Sequence, residues 1–310
     1  MHQLRPPEGG IAGIGDSVST LWKPLEMRNV QPGEGPLRRE DPKARRLSFL
    51  RWSGLGPALL TLGGLFFFPW LAHEGPGFWG AGVCHRIAER SFSIAGQPLP
   101  LCARCTGIYL GFLATAATSF LCGRRRPARL PPPGILLLLL LFLFIAGVDG
   151  VNSYLAFFPG LPHLYTPHNA LRLLTGALEG IALAGVLLPA LHLTLWEAPQ
   201  ECAPISNLRE FGRVILVAGL LGFPALWPAG PFLYPVAFFS LAGLFLAMGL
   251  VNTLPVAVLL RRAGRVTCRG EAVSLLAWGC FLATLELAAL SWLRYRLTGA
   301  FSYTVSPRFP

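Results

Sequence analysis

The chain is poor in charged residues: Asp, Glu, Lys and Arg together make up 13% of its 310 residues, about half the share usual in soluble proteins. Hydrophobic residues, in contrast, make up 53%. Several apolar runs approach or exceed the roughly 20 residues that a helix needs to cross a bilayer. These proportions exclude an ordinary soluble domain and predict an all-α integral membrane protein that crosses the bilayer several times.

Other absences remove further classes of protein. The seven cysteines are too few and too scattered for a disulfide-stapled scaffold. No P-loop, Gly-rich dinucleotide fingerprint or serine nucleophile elbow stands in a credible context. The net charge of +11 could suggest nucleic acid, but the Arg and Lys residues lie mainly in loops beside apolar runs, where they act as topology signals. We therefore expect membrane lipids, and not nucleic acid, as partners.

The chain divides into a tail, a membrane domain and a short end segment. Residues 1–48 are rich in Gly, Pro and charge and lack the apolar core of a signal peptide. Such a segment cannot bury enough apolar surface to offset its ordering entropy, so we expect a disordered cytoplasmic tail. Residues 49–300 are predicted to form a polytopic helical membrane domain, and 301–310 a C-terminal tail. About seven transmembrane helices are predicted, at 55–72, 105–122, 135–158, 169–196, 214–227, 232–260 and 272–293.

The placement of arginine predicts how these spans are oriented. With the N-terminal tail inside the cell, the loops after the second, fourth and sixth spans carry Arg124, Arg125, Arg126, Arg129, Arg209, Arg213, Arg261, Arg262, Arg265 and Arg269. The loops after the third and fifth spans contain neither Lys nor Arg; only the 73–104 loop and the C-terminal region, which holds Arg294, run against this bias. The positive-inside rule therefore predicts a multi-pass protein of the cell membrane with a cytoplasmic N-terminus and an extracytoplasmic C-terminus. The Cys84–Cys105 loop and the connector with His163 and His168 then share the extracytoplasmic side.

The loop after the first span contains a Cys/His motif. Cys102 and Cys105 form a Cys-x-x-Cys pair, and Cys84 and His85 lie upstream. Three thiolates and an imidazole are the ligands of a tetrahedral zinc site, so these four residues are candidate metal ligands. Adjacent Cys84 and His85 can hardly bind one ion without backbone strain. An extracytoplasmic site also favours oxidation, so a structural disulfide from Cys84, a redox-active Cys-x-x-Cys and unpaired thiols stay open as alternatives.

Polar residues recur at helical spacing within three predicted spans. They are Cys102, Cys105 and Tyr109 in the second span, Asp149 and Asn152 in the third, and Asn169, Arg172, Gly176 and Glu179 in the fourth. A charge at the bilayer centre costs about 2.5–3.5 kcal/mol on insertion scales, so such groups usually face a partner or a wet cavity. We expect a polar pocket in the outer half of the bilayer, with Asp149 paired to Arg172 or Glu179 paired to Arg104. Asp149 and Glu179 are the candidate catalytic groups; the alternative is that these side chains only join helices through buried hydrogen bonds.

Two pairs of small residues predict which helices are neighbours. Gly107 and Gly111 lie four residues apart in the second span, as do Gly176 and Gly180 in the fourth. Small residues at this spacing let membrane helices approach closely. We therefore predict direct packing of the second and fourth spans.

A group of arginines lies near the predicted outer headgroups: Arg86, Arg90, Arg104 and Arg172. Guanidinium forks match phosphate oxygens, so a lipid headgroup or a lipid-linked phosphate is the expected ligand. Further candidate substrate-binding residues are Tyr109, Asn152 and Asn169. The alternative is that the arginines pair with Glu89, Asp149 and Glu179.

The motif also resembles a known family. The residues concerned are Cys84, His85, Arg90 and Ser91, then Cys102, Arg104, Cys105, Gly107, Tyr109 and Gly111, and in a second block Asp149, Gly150, Asn169, Arg172, Thr175 and Gly176. This pattern resembles bacterial and archaeal membrane proteins that are known only as a domain of unknown function, and the resemblance covers about residues 80–185. It implies a shared site but supplies no activity.

Three functional hypotheses follow. The first is an enzyme acting on a membrane-embedded or lipid-linked substrate, with metal-activated water or a carboxylate as base. The second is a non-catalytic transporter or scaffold in which the cysteines form a structural disulfide. The third is a thiol–disulfide redox protein.

Overall fold

The computed structural model describes residues 54–72, 75–94, 96–158, 160–227 and 230–301. The predicted disordered tail over 1–48 lies outside the described residues, as does the predicted C-terminal tail except for Phe301.

Seven helices of 15 or more residues account for most of the described chain. They are α1 (Leu55–Ala72), α3 (Ala103–Leu121), α4 (Pro133–Leu155), α5 (Asn169–Leu195), α6 (Leu208–Gly222), α7 (Leu233–Leu259) and α8 (Arg269–Thr298), and a short α2 (Gly77–Ala81) follows α1. Each long helix overlaps one predicted span, which confirms a mainly helical fold.

Four of these helices, α4, α5, α7 and α8, are long and apolar enough to cross a membrane. The apolar part of α1 is shorter, at Leu55–Phe68. Helix α6 has 15 residues and covers only about 22 Å at 1.5 Å per residue, because the chain turns at Pro224 into a 3₁₀ segment. Helix α3 carries buried Gly, Thr and Ser residues that lower its apolar character. A helical membrane protein is therefore supported, while seven crossings stay a prediction.

Contacts between loops and helix ends form two separate groups, which mark two ends of the bundle. At the basic end, the loop after α3 meets the segment before α6: an Arg124 nitrogen lies 2.6 Å from Glu210 Oε1, and an Arg129 nitrogen lies 2.6 Å from Glu201 Oε2. The turn between α7 and α8 joins this end through hydrogen bonds between Val266 and the end of α5.

At the opposite end, the loop between α2 and α3 meets the end of α4 and the start of α5, which flank the connector between these helices. Arg90 donates to the Ser153 carbonyl at 2.8 Å, and Asn169 donates to the Ser91 carbonyl at 3.3 Å. The loop and the connector predicted to share a side therefore share an end of the bundle, which we call the thiol end after Cys84. Which end faces the cytoplasm stays a prediction.

Helices α3 and α5 approach so closely that four glycines are needed. A Cβ added at any of them would overlap a carbonyl of the facing helix: Gly107 with Leu173, Gly111 with Ala177, Gly176 with Arg104 and Gly180 with Ile108. The predicted packing of the second and fourth spans is confirmed. Because of this contact, the first turn of α3 lies directly against the first turns of α5.

The thiol-end loop is held by a compact apolar cluster. This loop, between α2 and α3, includes a two-stranded antiparallel hairpin, β1 (Ser93–Ile94) and β2 (Gln97–Pro98), with Ser93 opposite Pro98. The cluster itself contains Phe78, Trp79, Leu101, Leu244, Leu287 and Phe301. Burial of these aromatic and aliphatic side chains fixes the loop on α7 and α8, and so fixes the position of Cys84.

Candidate functional site

Three thiols converge at the thiol end. The sulfurs of Cys84, Cys102 and Cys105 all lie within 4.8 Å of one another, and Cys84 and Cys102 are buried. Cys102 caps the N-terminus of α3 with an extended backbone, and Cys105 lies in the first helical turn. Residues three apart at a helix start point to one side, so the Cys-x-x-Cys spacing brings both sulfurs toward Cys84. All seven cysteines are free thiols in this structure.

Hydrogen-bond donors surround the Cys84 sulfur. The Cys102 amide donates to it at 3.2 Å. The Arg86 amide also donates to it, and Arg86 adopts a left-handed backbone with φ of 50°. A non-glycine residue in this region costs about 1–3 kcal/mol, and such strain concentrates at functional sites. The pKa of Cys84 is lowered by hydrogen bonds from the Cys102 and Cys105 side chains and from these amides, although burial acts in the opposite direction. The thiolate is the form of cysteine that binds metal.

His85 does not join the three sulfurs. It is exposed, and its Nδ1 accepts a hydrogen bond from the Ile87 amide at 3.2 Å. The structure therefore brings together three of the four predicted metal ligands. A fourth position on an ion held by the thiols would be left for water or another molecule.

Arg294 near the end of α8 holds the loop that carries Cys84 in place. Its guanidinium donates to the carbonyls of Ala81 (3.2 Å), Cys84 and His85 (2.7 Å). One turn earlier, Ser291 donates to the Phe78 carbonyl at 2.7 Å. Sequence reasoning missed this role, because no local pattern links a residue to backbone carbonyls more than 200 positions away.

Asp149 is the centre of a polar network that joins α3, α4, α5 and the connector between α4 and α5. It is 1% exposed and forms an ion pair with Arg104. It also accepts hydrogen bonds from the Tyr165 hydroxyl at 2.7 Å and the Thr175 hydroxyl at 3.0 Å. The predicted pairing of Asp149 with Arg172 is wrong, because Arg104 on the first turn of α3 reaches across to α4.

Arg172 is turned toward the loop instead. Its side chain donates to Asn169 Oδ1 at 2.9 Å, and its Nε has no acceptor among the described residues, although Arg172 is only 7% exposed. Asn169 in turn donates to the carbonyls of Glu89 (3.2 Å) and Ser91 (3.3 Å). The start of α5 is therefore tied to the loop next to Arg90.

Arg90 and Arg104 meet at Ser153 near the end of α4. Arg90 donates to the Ser153 carbonyl at 2.8 Å, and Arg104 donates to its hydroxyl at 3.1 Å. Arg90 also lies over the Phe157 ring, 3.4 Å from the centroid. Burial and then the charges of Arg172 and Arg104 lower the pKa of Arg90 to about 10, so it stays cationic at neutral pH.

The two candidate catalytic acids have different surroundings. Asp149 has three side-chain partners, whereas half-buried Glu179 makes no hydrogen bond or ion pair with any described residue. The charge of Arg104 acts on Glu179, but the predicted ion pair between them is not formed. Glu179 is therefore the acid of this pair that is available to a ligand.

The other predicted lining residues have structural contacts. Asn152 donates to the Tyr165 carbonyl at 3.0 Å and accepts from the Leu164 amide at 2.6 Å, which fixes the connector. Tyr109 packs against the cluster that includes two of the cysteines. Arg86 donates to the Phe301 carbonyl at 3.2 Å. Sequence reasoning missed Tyr165, whose hydroxyl contacts Asp149 from a Pro-rich connector with no helical spacing.

Comparison with known proteins points to the same region. The profile of a family described as "Predicted membrane protein (DUF2085)" matches residues 84–186. An uncharacterised protein of Methanothermobacter thermautotrophicus is 37% identical over 115 residues, which are 36% of this chain and 91% of that protein. An uncharacterised protein of Methanocaldococcus jannaschii is 29% identical over 107 residues, 34% of this chain and 62% of that protein. No solved structure is similar to the chain.

The matched region begins at Cys84 and contains all three clustered cysteines, Asp149 and the polar face of α5. The resemblance seen in the motifs is thus confirmed, and it covers the part of the chain that forms the site. With 91% of an archaeal relative covered at 37% identity, the chain belongs to the predicted membrane protein family DUF2085.

Proposed function

We propose that this protein is a multi-pass membrane enzyme in which Cys84, Cys102 and Cys105 hold a metal ion beside a pocket for a lipid or lipid-linked anionic substrate. The observation that carries the proposal is the convergence of three sulfurs within 4.8 Å of one another. Zinc bonds to sulfur at about 2.3 Å in a tetrahedron, so its sulfur ligands lie about 3.8 Å apart. Shifts of about 1 Å bring the three sulfurs to that separation.

The ligand set favours zinc with one position open. Three protein ligands and a fourth site for water or substrate are typical of catalytic zinc, which supplies a Lewis acid and an activated water. The amides that donate to the Cys84 sulfur favour the thiolate form of Cys84. Arg294 keeps Cys84 in position through the loop carbonyls.

The two acids take separate roles in this proposal. Asp149 positions Arg104, Tyr165 and Thr175 and so keeps the pocket in shape. Glu179 accepts or donates the proton, since no described side chain occupies its carboxylate. Arg90, Arg104 and Arg172 bind the negative charge of the substrate.

A redox function is the second candidate, because a Cys-x-x-Cys pair at a helix N-terminus is also the arrangement of disulfide oxidoreductases. A transporter or scaffold with a structural disulfide is the third. Oxidation would join two of the three sulfurs and leave the last one alone in a buried site.

Metal analysis separates these candidates. The full chain, purified in non-ionic detergent under argon, is expected to contain about one zinc per chain with Cys84, Cys102 and Cys105 protected from alkylation until a chelator is added. Metal-free protein with a Cys102–Cys105 disulfide would instead establish the redox candidate. A disulfide from Cys84 in metal-free protein would establish the structural staple.

The proposal also orients the protein, with the basic end in the cytoplasm and the thiol end outside, as the positive-inside rule requires. In cells expressing a Cys268→Ser background, a membrane-impermeant thiol reagent should label Leu161→Cys but not Arg125→Cys, since both positions are exposed at opposite ends. Labelling of the second variant alone would reverse the orientation.

A further inference from the structure

Three arginines surround one small region beside the thiols. Arg90 and Arg104 both bind Ser153, at 2.8 and 3.1 Å. Arg172 binds Asn169, which in turn binds the Ser91 carbonyl next to Arg90. The ends of α4 and the starts of α3 and α5 thus hold three guanidinium groups within reach of one ligand.

Among the described residues, one of these three arginines forms an ion pair. Asp149 forms the ion pair with Arg104. Arg90 instead donates to a backbone carbonyl and lies over Phe157, and Arg172 donates to an amide oxygen, so the partners of both are neutral. Among the described residues these three cations share one bonded carboxylate, so two of them have no ion-pair partner in a partly buried space, where repulsion between like charges is strong.

The pocket also contains donors without acceptors. Nε of Arg172 and Nε of Arg104 are both buried, and neither has a hydrogen-bond partner among the described residues. Arg172 as a whole is 93% buried, since 7% of its surface is exposed. Buried polar atoms are nearly always satisfied in native proteins, so an orphaned donor beside excess positive charge indicates an anion with several acceptor oxygens.

The neighbouring surface is apolar. Phe157 and Phe158 come just after the end of α4, close to Ser153, and they are 42% and 46% exposed. Tyr154 and Val151 on the same helix are exposed as well. An anion bound by the arginines would therefore lie beside a surface suited to acyl or polyprenyl chains.

We propose that Arg90, Arg104 and Arg172 bind a phosphate monoester at the end of a lipid. A monoester carries close to two negative charges at neutral pH and three free oxygens, which match the residual charge and the orphaned donors. A phosphodiester headgroup carries one charge and two free oxygens, and leaves one cation uncompensated. The inference deepens the proposed function by naming its substrate class, and rests on it only for the neighbouring metal.

Binding of short-chain lipids tests the monoester. The full chain in non-ionic detergent is titrated with dioctanoyl phosphatidic acid, dioctanoyl phosphatidylglycerol and inorganic phosphate by microscale thermophoresis. Phosphatidic acid should bind at least tenfold more tightly than either of the others. Equal affinity for the two lipids would overturn the monoester assignment, and equal affinity for inorganic phosphate would overturn the lipid part and leave a free-phosphate site.

Variants test the arginines. Arg172→Gln should weaken phosphatidic acid binding at least tenfold, and Arg172→Lys should weaken it less, since charge is kept while the fork is lost. The matched control is Arg125→Gln, an exposed arginine at the basic end, which should bind as the parent does. Unchanged binding in a folded Arg172→Gln, with the parent's unfolding temperature, would overturn the proposal.

A metal-free variant keeps the two proposals apart. Cys102→Ser is expected to lose its metal but to bind phosphatidic acid within about threefold of the parent, because the arginines are held by α4, α5 and the loop contacts. If the parent contains no metal and still prefers phosphatidic acid, the metal centre fails and the monoester pocket stands. If the parent contains metal but does not prefer phosphatidic acid, the metal centre stands and the monoester pocket fails.

Discussion

The two ends of the helical bundle both contain arginines, but the partners of those arginines differ. At the basic end Arg124, Arg129 and Arg262 each lie within 4.0 Å of a glutamate oxygen, with Arg124 also bound to the Ala203 carbonyl. At the thiol end Arg104 pairs with Asp149, whereas Arg90 and Arg172 donate to neutral oxygens of Ser153 and Asn169.

The difference separates structural charge from functional charge. The ion pairs of the basic end connect loops and need nothing further. At the thiol end, near three converging thiols, Nε of Arg104 and Nε of Arg172 are buried and have no acceptor among the described residues. A charge that the protein leaves uncompensated inside a largely buried site is the better candidate for binding a ligand.

The largest effect is expected from a substitution that disrupts the close packing of α3 against α5, on which the thiol end depends. Gly176→Val would drive side-chain atoms into the Arg104 backbone, since even a Cβ overlaps its carbonyl. We expect folded protein to fall several-fold, measured by fluorescence-detected size exclusion in detergent. Gly63→Val in α1, where a Cβ meets nothing within 4 Å, is the control. Equal amounts of both variants would contradict the close α3–α5 packing.

The next largest effect is expected at the proposed metal site and leaves the basic end unchanged. Cys102→Ser should reduce zinc from about one ion per chain to less than about a tenth, because a site with two thiolates binds zinc poorly. Metal content by mass spectrometry of the purified protein checks this. Cys280→Ser, which changes a cysteine of α8 outside the thiol group, should keep its zinc.

A smaller effect is expected when the thiols stay and their support is weakened. Arg294→Gln removes donors to the carbonyls of Cys84 and His85, so zinc affinity should fall about tenfold, the usual cost of a lost supporting contact. Competition with a chromogenic chelator measures it. Arg296→Gln, on the exposed face of the same helix, should match the parent; an equal loss in both variants would point to a general charge effect.

The smallest effects distinguish the two acids of the pocket. Asp149→Asn should lower the unfolding free energy by about 1–3 kcal/mol, because Arg104 loses its charged partner and a buried hydrogen-bond network is broken. Glu179→Gln should change it by less than about 0.5 kcal/mol, since no described residue bonds to that carboxylate. Thermal unfolding in detergent compares them, and a larger loss for Glu179→Gln would reverse the assigned roles.

Much of this architecture was predictable from local patterns. The apolar runs predicted the seven helices to within a few residues at most boundaries. The arginine-rich loops were expected on one side of the membrane, and they share one end of the bundle. The glycine pairs predicted the α3–α5 contact, because small residues four apart form a flat helix face whatever the rest of the fold does. The bounds of the fifth span, 214–227, were predicted least accurately, because α6 begins at Leu208 and ends before Pro224.

The pairing of charges was not predictable in the same way. Asp149 could reach either Arg104 or Arg172 on helical spacing alone, and the choice depends on how α4 crosses the α3–α5 pair. Tyr165 and Arg294 carry no periodic signal, since one lies in an irregular connector and the other binds backbone carbonyls.

The sequence by itself therefore determined that this is a helical membrane protein and which residue types the site contains, since hydrophobic runs and motif spacing are local properties of the chain. Only the tertiary structure decided that three sulfurs converge without His85. It also decided that, among the described residues, Asp149 has bonded partners while Glu179, Arg90 and Arg172 have no ion-pair partner. The physical reason is that ligand geometry and charge balance depend on distances between residues far apart in the chain, which close helix packing sets.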